Sequence, residues 1–234
     1  MSLSAPHEGH HLIGQTLQRS DLEPLLSDPR APLLLQDCVL DGEDLSGLKL
    51  RGTRFDGCSL AQTVFDRADL TASSWRSCKA GHASFYLADL TEASFGQCDL
   101  NNTSWVKAKL SSVQFKEVKL TGAHFSGAQS LGLGFEDSLL VGADLRGISF
   151  RKQTLLRLNL SDADLAGCDF RGAVFKEGSL RHANLKNAQF DRADLRAVDL
   201  GGLTLTTLMQ SFKGCIISTD QAAALVSSLG VQVV

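Results

Sequence analysis

Four cysteines stand at equal intervals of 20 residues, at Cys38, Cys58, Cys78 and Cys98. Thiols in a regular series are typical of two kinds of chemistry, metal binding and redox exchange. A tetrahedral metal site needs ligands that converge on one point, whereas equal spacing predicts a line of side chains. The same column continues with Val118, Ser138 and Leu158. We therefore interpret the cysteines as small buried side chains, with a metal or redox ladder as the alternative.

Histidines are the other residues that could bind a metal or transfer a proton. His7, His10 and His11 lie in the first residues of the chain, where we expect a disordered leader rather than a metal site. His82 and His182 are expected at equivalent outward positions, without a nucleophile or carboxylate pattern beside them. The nucleophile-elbow, phosphate-loop, paired-cysteine and zinc-protease motifs do not occur. The sequence predicts no catalytic residues, no cofactor and no metal site, so we do not expect an enzyme.

A five-residue period runs through the sequence and accounts for the cysteine spacing. From Leu35 to Leu205 every fifth residue is Leu, Phe or Trp, except at Ala80 and Ser130. A second column of small or apolar residues stands two places earlier in each unit. A period of five fits neither the 3.6 residues of a helical turn nor the alternation of a strand. The pattern predicts a solenoid whose core is a repeated column of large side chains.

Glycine and proline indicate where each unit turns. Twelve of the 21 glycines occupy the last place of the unit, where a turn with positive φ costs glycine little. All four prolines precede the frame, as expected if the coils stack through backbone hydrogen bonds that proline cannot donate. Each unit is therefore expected to end in a turn.

Units such as Ala68-Asp69-Leu70-Thr71-Ala72 resemble those of the pentapeptide-repeat family, and the resemblance covers about three quarters of the chain. It implies an all-β fold, a right-handed quadrilateral β-helix with one unit on each side of a 20-residue coil. We expect three segments: a leader, partial coil and loop over 1–33, the β-helix over 34–205, and a C-terminal cap over 206–234.

The two ends of the frame differ from its middle. Leu12, Leu17 and Leu22 keep the five-residue spacing in another frame, which predicts a partial coil followed by a protruding loop over 23–33. At the other end, Ser218-Thr219-Asp220-Gln221 has the pattern of a capping box that opens a helix. The segment from Val231 to Val234 then predicts a short terminal strand.

The tail has two interpretations, a cap on a monomer or the interface of a homodimer. An apolar helix face followed by a valine-rich edge strand would remain a template for pairing if nothing covered it. We favour a homodimer through the C-terminus, with an interface made by Leu225, Val226, Leu229, Val231 and Val233.

The tail also resembles the C-terminal ends of Qnr, the microcin B17 self-resistance protein and the albicidin-resistance protein. The shared elements are Gln221-Ala222 at the helix start, then Leu229-Gly230-Val231 and a final apolar segment. Those pentapeptide-repeat dimers, described as DNA mimics, protect type II topoisomerases, above all DNA gyrase, from poisons such as quinolones or albicidin. The resemblance implies the same function here. The alternative is a non-enzymatic interaction scaffold, such as a secreted effector or an immunity protein with another target.

Charge and hydropathy limit the partners. The formal net charge is −3, and acidic and basic residues nearly balance along the frame and on each of its four sides. This pattern predicts neither an acidic stripe that imitates DNA nor a basic stripe that binds nucleic acid directly. The sequence has no signal-peptide pattern and no long apolar run, so we expect a cytoplasmic protein without a membrane span.

Apolar residues at outward positions are the candidates for partner binding. Tyr86 and Val106 fall on the same side in adjacent coils. Leu131, Val141 and Leu156 fall near the Ser130 exception, and Leu25 and Leu26 fall in the predicted loop. Large apolar side chains on a rigid repeat protein are typical anchors. The alternative is ordinary scattered apolar surface.

Overall fold

The computed structural model describes residues 9–27, 33–203, 205–228 and 230–233. The chain forms two compact units, Met1–Gly134 and Phe135–Val234. Each unit contains a parallel β-solenoid, and counted along the chain the solenoid makes about eight turns. None of the helices in the described ranges has the length and apolar character needed to cross a membrane.

The first unit contains six short strands that pair in chain order. They are β1 (His10–Ile13), β2 (Leu33–Gln36), β3 (Arg54–Asp56), β4 (Ser74–Arg76), β5 (Ser94–Gly96) and β6 (Gln114–Lys116). Each strand is parallel to the next, and from β2 onward the register advances by one coil, so that Phe55 lies opposite Trp75. Because each coil has 20 residues, equivalent positions of successive coils lie side by side.

The other three sides of each coil pair through single bridges. Val39 pairs with Ser59, Val64 with Ser84, and Asp69 with Asp89, all in parallel. Together with the β2–β6 side, these bridges give four paired sides for every 20 residues. The predicted quadrilateral β-helix is therefore confirmed, while its right-handedness stays a prediction.

The second unit continues the same frame. Its strands are β7 (Gly134–Glu136), β8 (Thr154–Asn159) and β9 (Val174–Ser179). β8 and β9 run through a corner, because Leu155 pairs with Phe175 on one side and Leu158 with Gly178 on the next. Bridges such as Asp144 to Asp164 complete the other sides.

The corners adopt the left-handed backbone conformation. Glycine occupies some of them, but a non-glycine residue has positive φ at every fifth position from Gln62 to Glu117. The prediction that each unit ends in a turn is confirmed. The glycines mark only part of these turns, because the hydrogen bonds between coils impose the same geometry on other residues.

Two aromatic stacks fill the core of the first unit. On one side Phe55, Trp75, Phe95 and Phe115 stack at 3.9 to 5.2 Å between ring centres. Two frame positions further on, Phe65, Phe85, Trp105 and Phe125 stack at 4.2 to 5.8 Å. Rings of the two stacks meet edge to face at 5.3 to 6.5 Å. Both arrangements are favourable for aromatic quadrupoles.

The tryptophans explain two polar residues in the inner column. Trp75 Nε1 donates to Ser73 Oγ at 2.9 Å, and Trp105 Nε1 donates to Thr103 Oγ1 at 2.8 Å. Ser73 and Thr103 are buried, and each stands two places before its tryptophan. A buried indole N–H needs an acceptor, which the small slot of the same unit supplies.

One aromatic stack continues through the second unit. Phe150, Phe170 and Phe190 stack at 5.0 and 4.7 Å, and Phe212 meets Phe190 edge to face at 4.6 Å. Phe212 directly follows α2 (Leu205–Ser211), a helix that the five-residue frame did not predict. The open end of the core is thereby covered by a helical segment.

The predicted capping helix is present as α3 (Thr219–Ser227), and Ser218 and Gln221 form both hydrogen bonds of the capping box. Gln221 Nε2 also donates to the carbonyls of Leu195 and Val198 at 2.8 and 2.6 Å, so the cap residue holds α3 to the last coil. The predicted terminal strand is wrong for Val231–Val233, which have no strand pairing. An edge segment needs a partner for its backbone groups, and in the described residues none adjoins it.

The start of the chain forms the predicted partial coil. Leu17 and Leu22 are buried, and Leu12 lies opposite Leu35. α1 (Arg19–Leu22) leads into a 3₁₀ helix (Glu23–Ser27), and residues 28–32 of the predicted loop lie outside the described residues. The disordered leader was a wrong prediction for His10 and His11, because strand pairing with β2 orders them. His7 lies outside the described residues.

Candidate protein-binding surfaces

The cysteine ladder lies inside the first unit. Cys38, Cys58, Cys78 and Cys98 are all buried, and the Sγ atoms of Cys58 and Cys78 donate to backbone carbonyls of the preceding coil at 3.2 and 3.4 Å. The hydrogen bond with Cys78, together with burial, raises the pKa of the Cys58 thiol far above its ordinary value. A neutral thiol without access to solvent, as at Cys58, is a poor nucleophile and a poor metal ligand.

The remaining cysteines and histidines were the other candidates for metal binding or proton transfer. No group of three His, Cys, Asp or Glu side chains in the described residues could hold a metal. Burial raises the pKa of Cys168, in the second unit, to about 12. His82 and His182 occupy corners with positive φ, at 61° and 55°. The outward side chains are the remaining candidates for a functional surface.

The first candidate surface contains Tyr86, Leu87 and Val106, and we name it the Tyr86 surface. Tyr86 and Val106 are half-buried on adjacent coils, as the sequence predicted. Leu87, which the sequence analysis missed, is 38% exposed, and its backbone N–H donates to the carbonyl of Val106 at 3.1 Å. Lys107 Nζ lies 5.9 Å from the centre of the Tyr86 ring. The signal in the sequence was an apolar residue at a corner position.

The residues predicted around Ser130 fall in both units. In the first unit Ser130 is half-buried although its column is otherwise internal, and Leu131 is 84% exposed. In the second unit Val141 and Leu156 are half-buried and Leu139 is exposed. Ala80, the other exception in the frame, is fully buried. A joint surface of Leu131 with Val141 and Leu156 stays a prediction.

A shallow hollow of about 680 Å³ lies on the outer face of β2 to β6. Its lining includes Ser74, Ser94, Gly96, Arg54 and Arg76. Arg76 is engaged, because its Nη2 atom lies 3.0 Å from Asp56 Oδ2. Sequence reasoning did not find this hollow, because outward small residues carry no signal in a pattern that records only the inner columns.

The chain ends present the remaining predicted apolar residues. Leu25 and Leu26 are half-buried in the 3₁₀ helix. On α3, Leu225 is half-buried and Val226 is exposed, and Val231 and Val233 are also exposed. The side chain of Leu229 lies outside the described residues. Leu225 also lines a pocket of about 470 Å³ between the last coil and α3.

Surface charges in the second unit are paired at short range. Arg146 binds Asp144, Arg171 binds Asp169 and Arg196 binds Asp194, each through two side-chain hydrogen bonds. The hydrogen bond from Arg171 lowers the pKa of Asp169, and Arg196 does the same for Asp194. Carboxylates neutralised this closely contribute little to a long-range negative field.

These features define a class of protein, the β-solenoid repeat proteins that present side chains on flat sides and corners. Family models narrow the class. One for a pentapeptide repeat region matches residues 34–105, and one for pentapeptide repeats (8 copies) matches residues 159–196 and 179–206. This chain belongs to the pentapeptide-repeat family. A search of curated proteins finds no significant match.

Solved structures of QnrB1, a plasmid-mediated fluoroquinolone resistance protein, share this fold. A trypsin-treated variant has a TM-score of 0.74 at 22% identity, covering 87% of this chain and 99% of its own. Another trypsin-treated variant has a TM-score of 0.61 at 20% identity, with 97% and 99% covered. Full-length QnrB1 has a TM-score of 0.57 at 19% identity, with 96% and 99% covered. At this identity the likeness shows the fold.

Proposed function

We propose that this protein binds a type II topoisomerase, DNA gyrase in the first place, and protects it from poisons such as quinolones or albicidin. It does so as a cytoplasmic binding protein, without catalysis and without touching nucleic acid itself. The observation that carries the proposal is the likeness to QnrB1 over nearly the whole of both chains. Fold alone does not fix function, so the resemblance of the C-terminal tail to the resistance proteins is the second support.

The cap of the second unit supports a homodimer. Val226, Val231 and Val233 are exposed in a single chain, and Leu225 lines the neighbouring pocket. An isologous contact through α3 and the terminal segment would bury these side chains in both protomers. We therefore propose Leu225, Val226, Leu229, Val231 and Val233 as the dimer interface.

The mode of binding follows from the charge distribution. Because the net charge is only −3 and acidic groups of the second unit such as Asp144, Asp169 and Asp194 are paired with arginine, we expect apolar anchoring and not electrostatic imitation of DNA. Binding to gyrase should therefore change little between 50 and 300 mM salt, whereas charge mimicry would weaken steeply over that range. The same balanced surface favours the second candidate function, an interaction scaffold for another protein target.

A supercoiling assay with purified gyrase tests the function. We expect that the protein, added to gyrase with a quinolone, restores supercoiling and lowers the amount of drug-trapped cleaved DNA. Val226→Asp should give a monomer by light scattering and lose protection, while Ser227→Asp, the same change on the neighbouring exposed residue, should keep both. If the protein binds neither gyrase nor topoisomerase IV and its expression does not raise drug tolerance, the gyrase proposal is wrong and the interaction scaffold is favoured.

A further inference from the structure

We propose that the Tyr86 surface is a docking site for a protein segment that carries an apolar side chain beside carboxylates. It consists of Tyr86, Leu87 and Val106, with Arg67 and Lys107 at its edges. Three independent features carry this inference: the backbone of Leu87, the fixed geometry around it, and the unpaired cations.

Leu87 is in a conformation that its side chain disfavours. Its φ is 58°, in the left-handed region where a large side chain meets the neighbouring carbonyl. The other described non-glycine residues with positive φ are polar or charged, apart from Ala72. Leu87 is 38% exposed, so folding gains only part of the stabilisation that a buried leucine gives. The corner geometry itself belongs to the repeat, so the unusual feature at Leu87 is a large apolar side chain that accepts this geometry while part of its surface stays exposed.

The surroundings hold the site in place before any partner arrives. The N–H of Leu87 donates to Val106 O at 3.1 Å, and the N–H of Arg67 donates to Tyr86 O at 2.9 Å. The N–H of Tyr86 donates to Asp66 Oδ1 at 3.2 Å. These bonds join three successive coils, so the apolar side chains sit on an ordered backbone. A preorganised site loses little conformational entropy on binding.

The charges at the edges specify the partner. Within the described residues neither Arg67 nor Lys107 forms an ion pair, unlike Arg76 and Lys109 on the same unit. The carboxylate of Asp66 is engaged by Ser84 Oγ and the N–H of Tyr86. An apolar centre flanked by two cations without a carboxylate partner is complementary to an apolar side chain flanked by Asp or Glu.

This inference rests on the proposed function only in its binding character and needs no particular topoisomerase. If gyrase is the partner, the Tyr86 surface is where it would dock. The experiment therefore has two arms, so that failure of the docking surface is distinguishable from failure of the gyrase proposal.

The first arm measures binding of the full chain to purified gyrase by biolayer interferometry. Leu87→Asn removes the apolar group and replaces it with a residue that tolerates the left-handed region. Ser77→Asn is the matched control, at a corner ten residues earlier in the repeat. We expect Leu87→Asn to melt at the wild-type temperature or higher and to bind at least tenfold more weakly, while Ser77→Asn binds like wild type.

Equal binding by Leu87→Asn and wild type would overturn the proposal. A clear fall in the melting temperature of Leu87→Asn would overturn it too, because Leu87 would then serve folding. The double variant Arg67→Glu with Lys107→Glu should also bind at least tenfold more weakly, and unchanged binding would remove the acidic partner from the proposal.

The second arm decides the matter if wild type does not bind gyrase, in which case the gyrase proposal fails by itself. A phage library of random 12-residue peptides is selected on the immobilised full chain and counter-selected on Leu87→Asn. Enrichment of peptides with an aromatic or aliphatic residue next to Asp or Glu supports the docking surface. Absence of any peptide that prefers wild type over Leu87→Asn overturns it.

Discussion

The first and second units share one repeat frame but fill it differently. In the first unit two aromatic stacks run side by side, from Phe55 to Phe115 and from Phe65 to Phe125. In the second unit a single stack runs from Phe150 to Phe190. Phe135 and Phe175 meet this stack at a tilt, and leucines such as Leu165 and Leu185 take other inward positions.

The corners differ in parallel with the cores. In the first unit glycine corners lie on either side of an uninterrupted non-glycine series from Gln62 to Glu117, whereas in the second unit glycine corners such as Gly142 and Gly167 are interspersed with non-glycine corners such as Lys152 and Asp162. Each non-glycine corner costs about 1 kcal/mol of backbone strain. Burial of an aromatic side chain gains more than that. The comparison teaches that the long series of non-glycine corners coincides with the part of the chain where two aromatic stacks fill the core.

The largest expected effect comes from removing one ring in each unit. Phe85 has four ring neighbours, the nearest Trp105 at 4.2 Å, while Phe150 has two, the nearest Phe170 at 5.0 Å. Both Phe→Ala changes should lower the free energy of unfolding by about 3–5 kcal/mol. The loss for Phe85→Ala should be about 1 kcal/mol larger than the loss for Phe150→Ala. Urea unfolding followed by circular dichroism measures this.

The outward variant Lys107→Ala is the control and should stay within about 0.5 kcal/mol of wild type. If Phe150→Ala lowers the free energy of unfolding as much as Phe85→Ala, the two cores do not differ in stability as proposed. Small and equal effects of all three variants would contradict the assignment of the frame to the core.

Gly178 gives the next largest effect. Its φ of 104° lies at an inner position of the second unit, and a Cβ there would collide with the backbone carbonyl of Leu158. Gly178→Ala should cost about 2–4 kcal/mol. Gly142→Ala, at a corner with φ 64° and no atom within 4 Å of the added Cβ, should cost about 1 kcal/mol. Equal melting temperatures for the two variants would contradict a collision between the added Cβ and the Leu158 carbonyl.

A smaller effect tests the corners of the first unit. Ala72 has φ 55°, is exposed, and has no side chain beyond Cβ. Ala72→Gly should raise the free energy of unfolding by about 0.5–1 kcal/mol, because relief of strain outweighs the entropy that glycine gains in the unfolded chain. Differential scanning calorimetry resolves such a shift. A loss of stability would mean that the corner strain inferred for the first unit is absent.

The smallest effect concerns the paired charges of the second unit. The Arg171 hydrogen bond lowers the pKa of Asp169, so its contribution to stability is present above the unfolded pKa of about 4 and is lost as pH falls through the lower folded value. Arg171→Gln should raise that pKa in an NMR titration and lower the stability at pH 7 slightly, because solvent screens an exposed ion pair. Arg51→Gln, on an unpaired arginine of the first unit, should change nothing measurable.

The sequence alone predicted much of this molecule. The frame from Leu35 to Leu205 predicted the inner columns, because a period of five with one large and one small residue is compatible with few other structures. The pattern Ser218 to Gln221 predicted α3 for a similarly local reason, the reciprocal bonds of a capping box. Periodicity and capping are properties of neighbouring residues, so they can be read without knowing distant contacts.

The candidate surface was only half predictable. Tyr86 and Val106 were found as outward apolar residues. Leu87 was not, because the sequence analysis used glycines to locate the corners and did not consider large apolar residues there. The strained conformation of Leu87 follows from hydrogen bonds to a neighbouring coil, such as that to Val106. The hollow on β2 to β6 likewise depends on which small side chains lie next to one another across coils.

Sequence by itself therefore determined the repeat, its four-sided coil and its C-terminal cap. Tertiary structure decided what the repeat cannot encode: helix α2, the pairing of His10 and His11 with β2, the absence of strand pairing at Val231–Val233, and the left-handed Leu87. The physical reason is that the inner columns are fixed by hydrophobic burial, which every unit repeats. End contacts and corner strain depend on hydrogen bonds between residues about 20 places apart.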